Sequence, residues 1–169
     1  MILRDDISIS VRKLGFAELE DYRDHLLRLD DKSRAARFSG PVDDAFLKSY
    51  CLRLVLGPTQ IIGAFNRGTL RGACEIDLAD HGSDENGKAR LALSVETEWR
   101  GLGLGRQLIK ESLITCFGCG AEHVSMVIGQ HGGAMTALAR DFGFTESDPG
   151  TPGAVARSLT CLTPIMAVA

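Results

Sequence analysis

Glycines at three alternate positions interrupt the chain between an apolar stretch and an amphipathic stretch, and this segment constrains the fold most. Residues 99–106 read Trp-Arg-Gly-Leu-Gly-Leu-Gly-Arg, after a predicted strand at 89–95 and into a predicted helix at about 103–117. The first turn of a helix leaves backbone N–H groups without partners, and glycine lets a phosphate approach them closely. The helix dipole and the charges of Arg100 and Arg106 add to the attraction. The segment therefore predicts a strand–turn–helix unit that binds a pyrophosphate.

A glycine-rich turn after a strand also occurs in dinucleotide-binding folds, and the surrounding sequence separates the two cases. Such a fold needs its strand early in a βαβ unit and an acidic residue about 20 positions later, after a second strand. Here Glu122, at about that distance, enters a predicted strand instead of following one. The nicotinamide-binding interpretation is therefore disfavoured.

Hydrophobic periodicity predicts the remaining elements. Ile7, Ile9 and Val11 alternate with polar residues as in a half-buried strand, and apolar residues then recur at helical spacing over 16–29. The later elements are a helix over about 43–54, strands at 60–65, 71–78 and 89–95, the helix at 103–117, a strand at 121–128, a short helix around Met135 and Leu138, and strands around Phe144 and 156–162, with turns at 66–68, 81–87 and 148–153. Strands two to four should form an antiparallel meander. The order predicts an α/β mixed sheet with helices packed on it, in one domain over residues 1–169.

Composition and charge disfavour several classes of partner. The 169 residues carry 19 Lys and Arg against 22 Asp and Glu, a net charge of −3, so no attraction for nucleic acid is expected. No segment approaches the roughly 20 apolar residues of a membrane helix, so no membrane is expected and a cytoplasmic location is predicted. Cys116 and Cys119 lack a second Cys or His pair at metal-ligand spacing, so no metal site is expected.

The glycine-rich segment resembles the signature of the GNAT superfamily of N-acetyltransferases, which is Arg or Gln, two residues, Gly, one residue, then Gly or Ala. Arg100-Gly101-Leu102-Gly103-Leu104-Gly105 matches that signature. Residues 91–95 look like the family's fourth strand, and residues 135–144 look like its late helix running into Gly-Phe. The resemblance implies a mostly antiparallel sheet of about seven strands with a V-shaped splay between strands four and five, flanked by about four helices.

The resemblance also implies the ligand. A member of this family would move an acetyl group from acetyl-CoA, its cosubstrate, to an amine, without a metal. The backbone of Leu93, Ser94 and Val95 would bind the pantetheine arm like an added strand, and the backbone N–H of Leu93 would polarise the thioester carbonyl. The pyrophosphate would lie against the signature turn, whose residues are Arg100, Gly101, Leu102, Gly103, Leu104, Gly105 and Arg106.

Two positions depart from the family's catalytic pattern. Members commonly carry Glu or His early in the fourth strand and Tyr on the late helix, where this chain has Arg90 and Ala139. Glu75 is our predicted proton acceptor, because it shares one face of the neighbouring strand with Asp77 and could border the cleft. The alternative is a solvated strand face, and Asp77 and Glu96 are further candidates.

Two other polar residues are assigned smaller roles. Ser94 could bond a bound water, although a buried serine more often bonds its own backbone. His25, on the first helix, is expected on a solvated face.

Residues 33–41, Ser-Arg-Ala-Ala-Arg-Phe-Ser-Gly-Pro, resemble a segment in the GNAT modules of bacterial protein-lysine acetyltransferases. The segment lies between the first helices, which usually form one wall of the acceptor site, so Arg34, Arg37 and Phe38 are predicted to contact the acceptor. The alternative is a packed Phe38 with solvated arginines. The acceptor stays open among a small molecule, a peptide N-terminus and a protein lysine, and a homodimer is also open.

A second class of function is consistent with the same residues. The departures at Arg90 and Ala139 favour a catalytically weak or inactive module that senses acyl-CoA. The glycine-rich turn serves both classes, because both bind the cofactor.

Overall fold

A seven-stranded sheet forms the centre of the computed structural model, which describes residues 7–54, 57–78, 87–129, 133–146 and 156–161. The strands are β1 (Ile9–Lys13), β2 (Gln60–Asn66), β3 (Thr69–Leu78), β4 (Lys88–Val95), β5 (His123–Gly129), β6 (Thr145–Glu146) and β7 (Ala156–Cys161). Their order across the sheet is β1-β2-β3-β4-β5-β7-β6. Strands β4 and β5 are parallel, and every other neighbouring pair is antiparallel. The predicted mixed, mostly antiparallel sheet is confirmed.

Five α-helices accompany the sheet in the described residues, where about four were expected. They are α1 (Leu19–Arg28), α2 (Asp31–Phe38), α3 (Asp44–Leu54), α4 (Leu104–Gly118) and α5 (Gly133–Asp141). The unpredicted helix is α2, which buries no apolar residue and therefore lacks the apolar stripe by which a helix is predicted. Its signal is the N-cap, where Asp30 accepts a hydrogen bond from the Ser33 N–H at 2.8 Å. Within the described part of the chain, no helix is both long and apolar enough to cross a membrane.

The predicted meander of β2, β3 and β4 is confirmed by its register. Ile62 lies opposite Cys74, which lies opposite Leu93 on the far side. The predicted turn at 148–153 lies outside the described residues, as does all of the turn at 81–87 except Gly87.

The sheet packs helices against both of its faces. Helices α4 and α5 cover one face, and the core there includes Cys74, Ile76, Leu91, Leu108, Val124, Met126 and Ala139. Helices α1 and α3 cover the other face, and the core there includes Tyr22, Leu26, Leu47, Ile61 and Ala73. Because side chains alternate along a strand, Glu75 of β3 and Ser94 of β4 lie on the α1 face.

Candidate functional site

Strands β4 and β5 run side by side for only part of their length. Their pairing extends from Lys88 opposite His123 to Leu91 opposite Met126. Strand β4 nevertheless continues to Val95 and β5 to Gly129. The two strands therefore separate after Leu91, which confirms the predicted splay.

The backbone of β4 presents hydrogen-bonding groups to this splay. Glu96 donates its N–H to the Arg71 carbonyl of β3 at 3.0 Å. Because successive residues of a strand point these groups to opposite edges, the N–H and C=O groups of Leu93 and Val95 point away from β3, toward the splay. The Val95 carbonyl accepts from Arg100 Nε at 3.2 Å on that side. The predicted carbonyl-polarising N–H of Leu93 thus lies at the open edge.

The glycine-rich turn leads directly into α4. Gly101 and Gly103 both have left-handed backbone conformations, with φ of 75° and 84°, which glycine adopts without strain. A Cβ at either position would meet nothing within 4 Å, so the turn is open on that side. The N–H of Gln107 bonds the Gly103 carbonyl at 3.2 Å, and the N–H groups of the turn before it, residues 104–106, precede the first bond of the helix. The first turn carries no acidic residue, which suits an anion.

Gly105 and the two leucines of the turn have different environments. A Cβ on Gly105 would lie 3.1 Å from Leu138 Cδ2 and 3.7 Å from Leu93 Cδ2, so glycine permits close packing of α4 against α5 and β4. Leu104 is buried, whereas Leu102 is exposed. Neither leucine offers a polar side chain, so their predicted cofactor contacts depend on backbone N–H groups.

The two arginines of the turn are bonded to other parts of the protein. Arg100 donates to Ser33 Oγ at 2.6 Å. Arg106 forms an ion pair with Asp141, and its guanidinium lies 5.5 Å from the centre of the Phe142 ring. Since both members of the Arg106–Asp141 pair are about half exposed, the pair contributes little and its arginine can change partners.

Glu75 lies in a buried polar group that we call the Glu75 cluster, formed by Glu75, Tyr22, Arg37 and Tyr50. Its Oε2 accepts from Tyr22 Oη and from Arg37 Nη2, each at 2.9 Å, and its Oε1 accepts from Tyr50 Oη at 2.5 Å. Burial raises the pKa of Tyr50 to about 12 and the pKa of Tyr22 well above its ordinary value. Both tyrosines therefore remain protonated donors at neutral pH, and the carboxylate is surrounded by groups that keep their protons.

Arg34, a predicted acceptor contact, is engaged at the end of α1. It donates from Nε to the Leu29 carbonyl at 2.9 Å and from Nη2 to the Leu27 carbonyl at 2.5 Å. Its Nη1 pairs with Asp44 Oδ1 at 2.7 Å. These bonds satisfy carbonyls at the helix C-terminus and join α1, α2 and α3.

Arg37 and Phe38, the other predicted acceptor contacts, lie beside Glu75. Arg37 pairs with Glu75, and its guanidinium lies 4.8 Å from the centre of the Phe38 ring. Phe38 packs edge-on against Phe46 and Tyr50, with ring centroids 5.5 Å and 5.1 Å away. The structure therefore brings Glu75, Arg37 and Phe38 together.

His25 is not on a solvated face, and that expectation was wrong. Its exposed fraction is 0%, and it belongs to a group that we call the Glu96 cluster, formed by Ser94, His25, Glu96, Arg28 and Arg71. Its Nε2 lies 2.9 Å from Ser94 Oγ, and its Nδ1 lies 3.3 Å from Glu96 Oε1. A signal for this was present, because residue 25 adjoins the apolar stripe of Tyr22, Leu26 and Leu29. Sequence reasoning placed the buried histidine on the wrong side of that stripe.

The positions that depart from the family pattern offer no conventional acid or base. Arg90 is exposed on β4 opposite Asp77, and a guanidinium does not release its proton in proteins. Ala139 is fully buried. In the described residues, no three His, Cys, Asp or Glu side chains are grouped so that they could hold a metal ion.

Comparison with known proteins agrees with this geometry. A family model described as the acetyltransferase (GNAT) family matches residues 20–144. Among curated proteins no significant match is found.

Several solved structures share the fold. The GNAT domain of S. lividans PAT is 16% identical with a TM-score of 0.78, over 95% of this chain and 94% of that chain. The paia N-acetyltransferase from Thermoplasma acidophilum in complex with coenzyme A is 18% identical with a TM-score of 0.68, over 93% and 100% of the two chains. The yncA structure from Salmonella typhimurium with its cofactor acetyl-CoA is 17% identical with a TM-score of 0.68, over 92% and 94%. The structural matches show the fold, and the family model, which covers most of the chain, shows that this protein belongs to the GNAT family of acetyltransferases.

Proposed function

We propose that the protein, acting as one GNAT domain, moves an acetyl group from acetyl-CoA to a primary amine by direct attack in a ternary complex. The observation that carries the proposal is the splay between β4 and β5, which opens beside the turn that begins α4. An extended ligand can pair with an open strand edge, and the first turn of a helix attracts an anion. One continuous site therefore suits both the pantetheine arm and the pyrophosphate of coenzyme A.

The residues present fit this ligand. The backbone groups of Leu93 and Val95 would hold the pantetheine arm, whereas those of Ser94, which lies between them, point to β3 and would not pair with it. The backbone from Arg100 to Arg106 would hold the pyrophosphate. The left-handed glycines of the turn leave open space where a phosphate would approach. Arg100 would exchange neutral partners, Ser33 Oγ and the Val95 carbonyl, for phosphate oxygens that form stronger, charge-assisted bonds. Arg106 would exchange its exposed pairing with Asp141 for a phosphate.

The transfer makes one bond and breaks another. Bound acetyl-CoA supplies the acyl group as a thioester: the amine nitrogen bonds the acetyl carbon, the carbon–sulfur bond breaks, the amine gives up a proton and the sulfur takes one. In this proposal the Leu93 N–H stabilises negative charge on the carbonyl oxygen. Glu75 as proton acceptor stays a prediction. Its Oε2 already accepts two hydrogen bonds and its Oε1 one, so a single acceptor position, on Oε1, is left for the proton of the amine.

The amine would enter from the face of the sheet that α1 and α3 cover. Arg37 and Phe38 lie there beside Glu75, and they are our proposed acceptor contacts. Arg34 is a less direct candidate, because its three bonds clamp the end of α1 to its neighbours. The proposal covers primary amines as a class, whether on a small molecule, a peptide N-terminus or a protein lysine.

A second candidate function is an acyl-CoA-binding sensor with weak or no turnover. The exposed Arg90 and the buried Ala139 favour it, because they occupy the positions where relatives commonly carry a base and an acid. The sensor would use the same cleft and the same turn.

A transfer assay separates the two functions. Small amines, peptides with a free N-terminus and peptides with lysine would be incubated with acetyl-CoA, and free thiol would be measured together with the mass of the product. We expect thiol release matched by acetylated product for at least one class. Binding of acetyl-CoA without product from any acceptor would favour the sensor.

Arg106 provides a test of the cofactor site. Replacing Arg106 with Gln should weaken coenzyme A binding about tenfold or more, because a hydrogen bond to a charged group is worth about 1.5–3 kcal/mol. Arg23→Gln is the matched control, since Arg23 lies on α1 and pairs with Asp24 and Glu20 away from the turn. Equal affinities in both variants, measured by calorimetry, would contradict the proposed position of the pyrophosphate.

A further inference from the structure

Three side chains of the Glu96 cluster form a continuous chain of hydrogen bonds. Ser94 Oγ lies 2.9 Å from His25 Nε2, and His25 Nδ1 lies 3.3 Å from Glu96 Oε1. Ser94 lies on β4 and His25 on α1, and Glu96 is the residue that immediately follows β4. The order of hydroxyl, imidazole and carboxylate is the one in which an imidazole draws a proton from a hydroxyl.

The chemistry of the partners fixes the tautomer of His25. Although burial pushes the pKa of Glu96 upward, hydrogen bonds from His25, Arg28 and Arg71 hold it below its ordinary value, so Glu96 is ionised. An ionised carboxylate only accepts hydrogen bonds, so His25 Nδ1 carries a proton. Burial lowers the pKa of His25, so the ring is neutral near pH 7 and its Nε2 is an acceptor. Ser94 therefore donates its hydroxyl proton to His25.

The surroundings of His25 hold it in this state. Arg28 Nε pairs with Glu96 Oε1 at 2.8 Å, and Arg71 Nη1 pairs with Glu96 Oε2 at 3.0 Å. The Tyr22 ring stacks on the imidazole with centroids 6.4 Å apart. The charged and titratable groups that face the ring are Tyr22 and Arg28 of α1, Arg37 of α2, Arg71 of β3 and Glu96 after β4. Most of these charges are positive, which favours the neutral imidazole.

The hydroxyl end of the chain lies at the splay. Ser94 is adjacent to Leu93, in the part of β4 that has left β5. Its exposed fraction is 7%, against 0% for His25, so the serine is the more accessible of the two residues. On the same face, Val127 of β5 is 49% exposed. The chain of hydrogen bonds therefore begins, at Ser94, where an amine would enter the splay.

We propose that Ser94 contacts the acceptor amine and relays its proton to His25, and that Glu96 is a positioning residue for the imidazole. This inference rests on the proposed acetyl transfer. The relay supplies a proton acceptor, which Arg90 does not provide. It links Ser94 and Glu96, which the sequence analysis treated separately, to His25, which that analysis expected on the surface.

The relay leaves Ser94 unchanged. A proton moves from the ammonium group of the acceptor to Ser94 Oγ as the original hydroxyl proton of Ser94 moves to His25 Nε2. His25 becomes an imidazolium paired with the Glu96 carboxylate, and the amine becomes neutral and nucleophilic. The imidazolium then returns its proton by the same path to the departing sulfur or to water.

Amines of different basicity test the relay. Ethylamine is largely protonated at neutral pH and needs a proton acceptor, whereas methoxyamine is already neutral. For Ser94→Ala and His25→Gln we expect kcat/KM with ethylamine to fall about 10²-fold to 10⁴-fold and to change far less with methoxyamine. Ser125→Ala and His123→Gln are matched controls, because Ser125 bonds the Ala89 carbonyl and His123 is exposed on β5.

Two measurements that do not depend on turnover also test the relay: coenzyme A binding and the protonation state of His25. Coenzyme A binding by calorimetry should survive in both variants, which shows that they are folded. Nitrogen NMR of the imidazole should find His25 neutral with its proton on Nδ1 at neutral pH, and Glu96→Gln should lower its pKa further because a negative charge is lost.

The outcomes distinguish the relay from the proposed function. A wild type that binds acetyl-CoA but acetylates no amine overturns the proposed function and the relay with it. An active wild type whose folded Ser94→Ala and His25→Gln variants keep their rates with ethylamine overturns the relay alone. A proton on Nε2 of His25, or an acetyl group found on Ser94 by mass spectrometry during turnover, also overturns the relay.

Discussion

Two buried carboxylates, Glu75 and Glu96, lie on the same face of the sheet, yet their neighbours give them different capacities for proton transfer. Glu75 accepts from one arginine and two tyrosines, all of which keep their protons at neutral pH. Glu96 also pairs with arginines, but it bonds an imidazole whose protonation can change near neutral pH. The Glu75 cluster resembles a structural ion pair, and the Glu96 cluster resembles a proton path. The difference lies in the partners and not in the burial of the two acids.

The largest expected effect is on stability. Glu75→Gln should lower the free energy of unfolding by about 3–5 kcal/mol, because it leaves the buried charge of Arg37 without its partner. Glu96→Gln should lower the free energy of unfolding by less, because the side chains of its partners Arg28 and Arg71 are 38% and 27% exposed and can be solvated by water. Urea denaturation of the matched pair measures both values. A larger loss for Glu96→Gln would reverse the comparison.

Turnover of the same two variants should show the opposite order. At a temperature where both are folded, Glu96→Gln should lower kcat about 10²-fold because the imidazole loses its charged partner, whereas Glu75→Gln should stay within about tenfold of wild type. Initial rates of thiol release with ethylamine give both numbers. If Glu75→Gln loses the rate and Glu96→Gln keeps it, Glu75 is the proton acceptor that the sequence predicts.

The smallest expected effect is a pH dependence of melting. Burial holds the pKa of His25 below its ordinary value, so below about pH 6.5 the unfolded chain binds a proton that the folded chain does not. The stabilisation is complete above that pH and is lost as the pH falls through the folded pKa. The melting temperature of wild type should therefore fall more steeply than that of His25→Gln between about pH 7 and about pH 5. His123→Gln should follow wild type, and parallel curves for wild type and His25→Gln would contradict the assigned state.

Local patterns predicted most of the fold. Alternation identified β1, turn-rich residues separated the strands of the meander, and the glycine-rich turn identified the start of α4. Helix α2 was missed because it buries no apolar residue, so its sequence carries a cap without an apolar stripe. The splay between β4 and β5 came from the resemblance to a family, since no local pattern encodes where two parallel strands separate.

The polar clusters depend on distant pairs and were harder to predict. Tyr22 and Glu75 are 53 positions apart, and His25 and Glu96 are 71 positions apart. Sequence reasoning selected Glu75, Ser94 and Glu96 as candidates, but it could not pair them because strand and helix positions alone do not show which side chains meet. The buried position of His25 was the one part that helical spacing could have indicated.

Titration of acetyl-CoA into the wild-type protein by calorimetry tests the central claim most directly. The splay and the glycine-rich turn predict saturable binding of one molecule per chain, and mass action then predicts a higher melting temperature in its presence. A protein that is folded but shows no saturable binding of acetyl-CoA, and whose melting temperature does not change, would contradict the account.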